Sequence, residues 1–491
     1  MANSKEYFNK QPTQSGIKDL IEKKLIQVDL DEIYTPPVVR PIVFTENYVS
    51  NKPKEFMQLG SIVQSNLPNE LIDQSSLITN ESWQKDNKSL DFEMKINKLK
   101  LEKTKNVETK NVFLNINDPW CMIAVGIQGA GKSHTLMKLV ESCSIQLPDN
   151  KLQFPMTSLI CHYDPDLSNY CEAATLALYP SADVHVIVPP DMYNERKKFY
   201  SSLPMVKIHP LLFQFKKLSI DHIRKLMTVD AGENILYMQI LTNILRKYQK
   251  NGEKLTSINQ LWYELNGKNS VDNLQKQQLV PLKQRIALLQ SFLAGEAENN
   301  PIQLSSKASG NCIEDISELF ELKGAILILD LSNPLMDQSE VCSVSNIFVD
   351  MFVHHKVDHG KLLCFDEAHK FLSKYNELAN TIVISARELR HHGLRLLVST
   401  QNPDILPDEL IELSSLAVLH QIFSPRWIKF LQARYPLSNE IVKSLEGLSV
   451  GQAIIYSPRA AINSPIIGSE IAHIQVSGRQ YSSSGSKLNS S

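Results

Sequence analysis

From about residue 111 onward, short apolar runs alternate with stretches of helical periodicity. Short, continuously apolar runs are typical of parallel strands whose sheet is covered on both faces. Residues 133–144 carry Leu136, Leu139 and Val140 at the spacing of a helix that buries one face. The pattern predicts an α/β fold with a mainly parallel central sheet. The predicted strands are residues 112–116, 121–125, 158–162, 184–188, 325–330, 361–366, 394–399 and 416–420.

The remaining segments divide the chain further. Residues 219–294 keep helical spacing without a strand-like run, which predicts a helical insertion in the sheet domain. Residues 1–110 are polar and rich in Asn and Lys, so we expect a partly disordered region without a well-formed β-barrel. The prolines of residues 33–44 favour extended chain there. Residues 477–491 are rich in Ser and predict a disordered tail, which leaves 111–476 as the folded domain.

Composition narrows the class of protein without fixing a partner. The chain is 43% hydrophobic and 7% aromatic, as globular proteins are, and its net charge of −2 favours no partner. The lysines of residues 93–110 form either a solvated lead-in or a contact for polyanions. No apolar run approaches the roughly 18 residues of a membrane span. The first residues lack a secretory signal, and seven cysteines without Cys-x-x-Cys spacing favour neither disulfides nor zinc. We therefore expect an intracellular protein of the cytoplasm or nucleus.

A glycine-rich loop follows the predicted strand 121–125 and precedes the predicted helix. Its pattern, Gly-x-x-x-x-Gly-Lys-Ser, is that of a Walker A phosphate loop. The glycines let backbone N–H groups surround phosphates, Lys132 is placed for the β- and γ-phosphates, and the Ser133 hydroxyl is placed for Mg²⁺. The sequence therefore predicts that the chain binds ATP with Mg²⁺. The expected nucleotide-binding residues are Gly126, Ile127, Gln128, Gly129, Ala130, Gly131, Lys132, Ser133 and His134.

Two adjacent carboxylates end the predicted strand 361–366. We assign Asp366 to Mg²⁺ and Glu367 to activation of the attacking water, because hydrolysis needs both functions at the sheet edge. Asp330 also ends an apolar strand but lacks a following glutamate, which favours a structural role. The string Asp-Glu-Ala-His alone is weak evidence for a DEAH helicase, since the arginine segment of that class is missing from the sequence.

A more specific block spans Arg387, Arg390 and Gly393, an apolar strand, and then Thr400-Gln401-x-Pro403. This block resembles the HerA branch of the HerA–FtsK superfamily of P-loop ATPases, and the likeness extends over residues 111–476. The resemblance implies a RecA-like core in a homo-oligomeric, hexameric ring that moves double-stranded DNA. It also implies an arginine finger for a neighbouring subunit, with Arg390 the first choice and Arg387 the second.

Gln401 would then sense the γ-phosphate or hold the attacking water. The expected catalytic residues are Lys132, Glu367, Arg390 and Gln401. One alternative from another class stays open at this point: a nucleotide-dependent switch or scaffold that organises a protein complex without moving DNA.

Overall fold

The structure is a computed structural model. It describes residues 40–50, 52–63, 110–147, 152–203, 205–227, 236–253, 255–266, 283–284, 286–287, 289–294, 315–374, 376–463 and 466–478. The expectations for residues 1–39, for most of the lysine-rich run 93–110 and for 479–491 lie outside these ranges. The division of the chain into an N-terminal region, an ATPase domain and a tail therefore stays a prediction.

Thirteen strands within these ranges form one sheet. Each apolar run predicted from the sequence overlaps a strand, and five further strands were not predicted. The strands are β1 Val43–Thr45, β2 Phe56–Ile62, β3 Asn111–Asn115, β4 Cys121–Val125, β5 Thr157–His162, β6 Asp183–Val188, β7 Val206–Pro210, β8 Ala325–Asp330, β9 Lys361–Phe365, β10 Leu394–Thr400, β11 Leu416–Leu419, β12 Gln452–Ala461 and β13 Gly468–Val476.

The α-helices are α1 Lys132–Ser144, α2 Tyr193–Tyr200, α3 Ile220–Met227, α4 Leu236–Asn251, α5 Ile258–Asn266, α6 Gln338–His354, α7 Glu377–Arg387, α8 Leu389–His392, α9 Asp408–Glu412, α10 Pro425–Gln432 and α11 Asn439–Glu446. Helices α3, α4 and α5 lie in the segment where we predicted a helical insertion. Because the structure leaves parts of that segment undescribed, the extent of the insertion stays a prediction. None of the helices in the described ranges combines the length and apolar character needed to cross a bilayer.

The α/β class is confirmed, and the sheet is mixed. The order is β1-β3-β2-β13-β12-β11-β4-β10-β9-β5-β8-β6-β7. Pairs from β11 to β7 are parallel, whereas β11–β12 and β12–β13 are antiparallel. Because carboxyl ends of parallel strands meet at one sheet edge, the segments that follow β4, β9, β10 and β11 come together.

The apolar character of β4 follows from burial on both faces. Cys121, Ile123 and Val125 pack into one hydrophobic cluster, and Met122 and Ala124 pack into the other. Helices α1 and α2 contribute to the second cluster, and α4, α6 and α7 contribute to the first. A strand between two layers of helices has no solvent face, so its sequence shows a continuous apolar run instead of an alternating one.

A small barrel corrects the expectation for the N-terminal region. Five strands form it, and each pairs with the next in the spatial order β1-β3-β2-β13-β12. A pairing of β1 with β12 closes the ring. The local pattern missed it because β12 and β13 lie more than 300 residues after β3 in the chain. A Cβ at Gly60 would lie 2.5 Å from the Gln475 carbonyl oxygen, so glycine permits the close approach of β2 and β13.

Asp330, at the end of β8, has the structural role that the sequence favoured. Its fully buried carboxylate accepts hydrogen bonds from Arg196 of α2, from the Tyr200 hydroxyl at 2.8 Å and from the backbone N–H of Ser332 at 3.1 Å. The Arg196 side chain is also buried and donates to the Leu167 carbonyl oxygen at 2.9 Å. This ion pair therefore holds α2 and the 167–169 loop against the end of β8.

Replacing one partner of this pair should strongly destabilise the fold. We expect Arg196→Leu to lower the free energy of unfolding by about 3–5 kcal/mol, because it leaves the Asp330 charge buried and unpaired. Urea unfolding followed by circular dichroism measures the change. Lys323→Met is the matched control, since the Lys323–Asp358 pair is exposed and should contribute little. Equal unfolding midpoints for the two variants would contradict the assignment.

Candidate nucleotide-binding site

The phosphate loop connects β4 to α1, and its backbone requires glycine at two points. Gly131 has φ 112°, in the left-handed region, and a Cβ there would lie 3.1 Å from the backbone nitrogen of Gly451. A Cβ at Gly126 would lie 2.7 Å from the Cβ of His420. A larger side chain at either position would therefore distort the turn that leads into α1.

Lys132 begins α1 and points back into the loop. Its ammonium Nζ donates to the Ile127 carbonyl oxygen at 3.0 Å, and the side chain is almost completely buried. Burial lowers the pKa of Lys132, while the nearby carboxylates of Glu367 and Asp366 oppose that shift. The loop lysine therefore lies in the electrostatic field of the Asp366 and Glu367 carboxylates.

Asp366 directly follows β9, two strands from β4. Burial, and secondarily the charge of Glu367, raise the pKa of Asp366 to about 6. A cation at this carboxylate would offset both effects, so the donor set suits Mg²⁺. Among the described residues no cluster of three or more His, Cys, Asp or Glu side chains could hold a metal. Mg²⁺ is usually held by one or two carboxylates together with substrate phosphates and water, so Asp366 and the Ser133 hydroxyl stay the candidate protein ligands.

Glu367 is held in an uncommon backbone conformation. Its φ of 50° is the one positive value at a non-glycine residue in the described part of the chain. Such strain persists where the surrounding structure fixes it, and it concentrates at functional sites. Gln401, which follows β10, donates from Nε2 to Glu367 Oε1 at 2.9 Å. His369 Nδ1 lies 3.3 Å from Glu367 Oε2. The hydrogen bond from Gln401 therefore orients the Glu367 carboxylate.

The structure brings Lys132, Asp366, Glu367 and Gln401 to one edge of the sheet, beside the phosphate loop. Ser133 follows Lys132 in the first turn of α1. The imidazole of His134 lies 3.1 Å from the Ser477 carbonyl oxygen, so its ring contacts the segment that follows β13.

Neither candidate arginine finger lies at this edge. Arg390 belongs to α8, immediately before β10, whereas Gln401 follows β10. Seven residues of strand separate those two ends by about 20 Å. Arg390 is exposed and close to barrel strand β12, where its charge adds to burial in lowering the pKa of Arg459. Arg387 donates from Nε to Glu409 Oε1 at 2.6 Å within its own chain.

His420 is the buried residue at this edge that the sequence analysis did not select. It follows β11, and its ring lies between Thr135 of α1 and the carbonyl oxygen of Gln452. The neighbouring Gly451 N–H donates to the Ala130 carbonyl oxygen at 3.2 Å. The sequence does show that His420 is a polar residue at the end of an apolar run. This observation alone does not select His420, because the sequence does not reveal that β11 lies beside β4.

No protein-family model matches this chain. A curated relative, a probable helicase of Methanocaldococcus jannaschii, is 31% identical over 99 residues, which is 20% of this chain. The match spans only 19% of the length of that relative.

Several solved structures are similar in fold. VirB4 of Thermoanaerobacter pseudethanolicus is 13% identical, with 74% of this chain and 90% of that chain covered and a TM-score of 0.42. The plasmid coupling protein TrwB, bound to a non-hydrolysable ATP analogue, is 13% identical, with 74% and 87% covered and a TM-score of 0.43. The genome-packaging NTPase of Sulfolobus turreted icosahedral virus 2 is 18% identical, with 32% and 69% covered and a TM-score of 0.23.

Proposed function

We propose that this chain, which resembles the HerA–FtsK superfamily of P-loop ATPases, binds ATP with Mg²⁺ and hydrolyses the γ-phosphate bond. The observation that carries the proposal is the geometry of Glu367. Its carboxylate is held by Gln401 beside Asp366 and the buried Lys132. A fixed carboxylate next to a phosphate-binding lysine is what in-line attack by water needs.

The roles follow from chemistry and position. The backbone N–H groups of residues 126–134 and the Lys132 ammonium would bind the phosphates, and Ser133 and Asp366 would hold the cation. Mg²⁺, when bound, neutralises charge on the β- and γ-phosphates. Glu367 would accept a proton from the attacking water, and Gln401 would keep Glu367 oriented while sensing the γ-phosphate. The positive φ of Glu367 supports this reading, because uncommon backbone conformations concentrate at functional sites.

We further propose that hydrolysis is coupled to movement of double-stranded DNA in a homo-oligomeric, HerA-like ring. The Arg387-to-Pro403 block supports this branch, and the relative in Methanocaldococcus jannaschii is named a probable helicase. The position of Arg390 also supports assembly, because the residue is exposed and lies at the strand end opposite its own site. Light scattering with and without ATP and Mg²⁺ tests the ring. An assembly of several subunits is expected, and a monomer under both conditions would overturn the ring in favour of a switch or scaffold.

The finger is testable by mixing variants. We expect Arg390→Ala protein to lose roughly 10³-fold in turnover, the lower range for an arginine finger. Subunits carrying Lys132→Ala should restore part of that activity, because they keep Arg390 and can donate it to a neighbour. Phosphate release from the mixture measures the rescue. Arg387→Ala is the control and should stay near wild type, since Arg387 pairs with Glu409 in its own chain. If the mixture releases phosphate no faster than the two variants do separately, Arg390 is not the arginine finger.

A further inference from the structure

His420 occupies the point where the phosphate loop, the sheet and the barrel meet. It is the residue directly after β11, and its side chain is fully buried. Its Nε2 lies 3.0 Å from the hydroxyl of Thr135, which is also fully buried in α1. Its Nδ1 lies 2.9 Å from the carbonyl oxygen of Gln452, the first residue of β12. Strand β12 pairs with both β11 and β13, so it belongs to the sheet and to the barrel.

The partners of the ring fix its protonation. A carbonyl oxygen only accepts hydrogen bonds, so Nδ1 carries the hydrogen that is donated to Gln452. The other nitrogen then accepts from the Thr135 hydroxyl in a neutral imidazole. Burial lowers the pKa of His420 to about 4, and the positive charge of Lys132 opposes protonation as well. The ring therefore stays neutral near pH 7 and keeps one donor and one acceptor in fixed directions.

The same ring limits the space beneath the loop. Its Cβ is the atom that a side chain at Gly126 would strike, and its Cε1 lies 3.6 Å from the Cβ position of Gly131. A side chain at either glycine would thus meet the His420 ring or its Cβ. Two backbone hydrogen bonds connect the loop to the same neighbouring segments. The Gly451 N–H donates to the Ala130 carbonyl oxygen, and the Ile127 N–H donates to the Gln421 carbonyl oxygen at 3.0 Å.

We propose that His420 is a positioning residue for the phosphate loop. It holds Thr135 and the loop glycines at a fixed distance from β12, so that nucleotide affinity depends on a side chain outside the Walker motifs. The inference rests on the proposed function, since it concerns the same nucleotide site. Because Gln452 belongs to β12, a change in the conformation of the phosphate loop would be transmitted to the barrel through this strand.

A double-mutant cycle on the full chain tests this coupling. His420→Asn keeps an N–H near the position of Nδ1 for Gln452 and loses the acceptor for Thr135. Thr135→Val removes the matching hydroxyl with little change of shape. Each single variant should raise the Kd for a fluorescent ATP analogue with Mg²⁺ by about fivefold, the effect of one net hydrogen bond. The double variant should be no weaker than either single one, because both changes break the same bond.

A conservative variant and steady-state kinetics add to the double-mutant cycle. Thr135→Ser keeps a hydroxyl and should bind nucleotide like wild type, which also provides the test if His420→Asn does not fold. In steady-state assays the KM for ATP should rise while kcat changes little, since His420 acts through the loop and not on the reacting atoms. Additive effects in the cycle, or an unchanged Kd with lowered thermal stability, would overturn the inference. Wild-type protein that fails to bind nucleotide would instead refute the proposed function itself.

Discussion

Glu367→Gln is expected to reduce ATP turnover by about 10²–10⁴-fold, the usual contribution of a general base. The amide keeps the size of the side chain and an oxygen that can accept from Gln401 Nε2. What it loses is the basic carboxylate that would take a proton from the attacking water. Nucleotide binding should therefore persist, and the variant should accumulate bound ATP with Mg²⁺.

Phosphate release and titration with a fluorescent ATP analogue separate these two effects. Glu412→Gln is the matched control, because Glu412 is an exposed carboxylate on α9. It should leave both turnover and Kd unchanged. Turnover within tenfold of wild type in Glu367→Gln would exclude Glu367 as the base, and a joint loss of binding would indicate a structural role instead.

Lys132→Ala should act on binding first. Lys132 is buried beside the acidic pair, and the substitution removes the charge-assisted contacts that its ammonium would make to the phosphates. Such contacts contribute about 1.5–3 kcal/mol each, which corresponds to roughly 10- to 100-fold in Kd. Turnover should fall to background, since the phosphate charge would then lack its nearest protein cation.

The loss of Lys132 has a second consequence at Asp366. The lysine charge opposes the upward shift in the Asp366 pKa, which burial and Glu367 cause. Without Lys132 that pKa should rise above its value of about 6, so that a larger fraction of Asp366 is protonated near neutral pH and unable to hold Mg²⁺. Mg²⁺-dependent nucleotide affinity should then improve with rising pH more steeply than in wild type. Lys443→Ala, a change at an exposed lysine on α11, serves as the control. Unchanged affinity in Lys132→Ala would contradict the site.

The sequence could predict elements whose cause is local. The run 121–125 reads as a strand because both its faces are buried, and the glycine pattern after it needs no distant residue to be recognised. Gln401 and Asp366 each follow an apolar run of the sequence that forms a parallel strand, and Gln401 Nε2 lies 2.9 Å from Glu367 Oε1. For Asp330, the isolated carboxylate at a strand end favoured a structural role, and its partner is Arg196.

Features with a non-local cause could not be predicted. Strand β7 was missed because its five residues include Lys207, His209 and Pro210, and it pairs in the sheet only with β6. The barrel was missed because β1 has only three residues and because the ring closes through the pairing of β1 with β12, a strand from the other end of the chain. His420 escaped selection for the same reason, since its partners Thr135 and Gln452 are assembled by strand order.

We propose that this chain hydrolyses ATP at the sheet edge that carries Lys132, Asp366 and Glu367, and that it couples this hydrolysis to movement of DNA. The most direct measurement is phosphate release by wild-type protein with ATP and Mg²⁺, in the presence and absence of double-stranded DNA, with Glu367→Gln measured in parallel. We predict turnover that double-stranded DNA stimulates and that Glu367→Gln lowers at least about 100-fold under both conditions. Turnover that is indifferent to DNA would contradict the coupling, and Glu367→Gln turnover within tenfold of wild type would contradict the site.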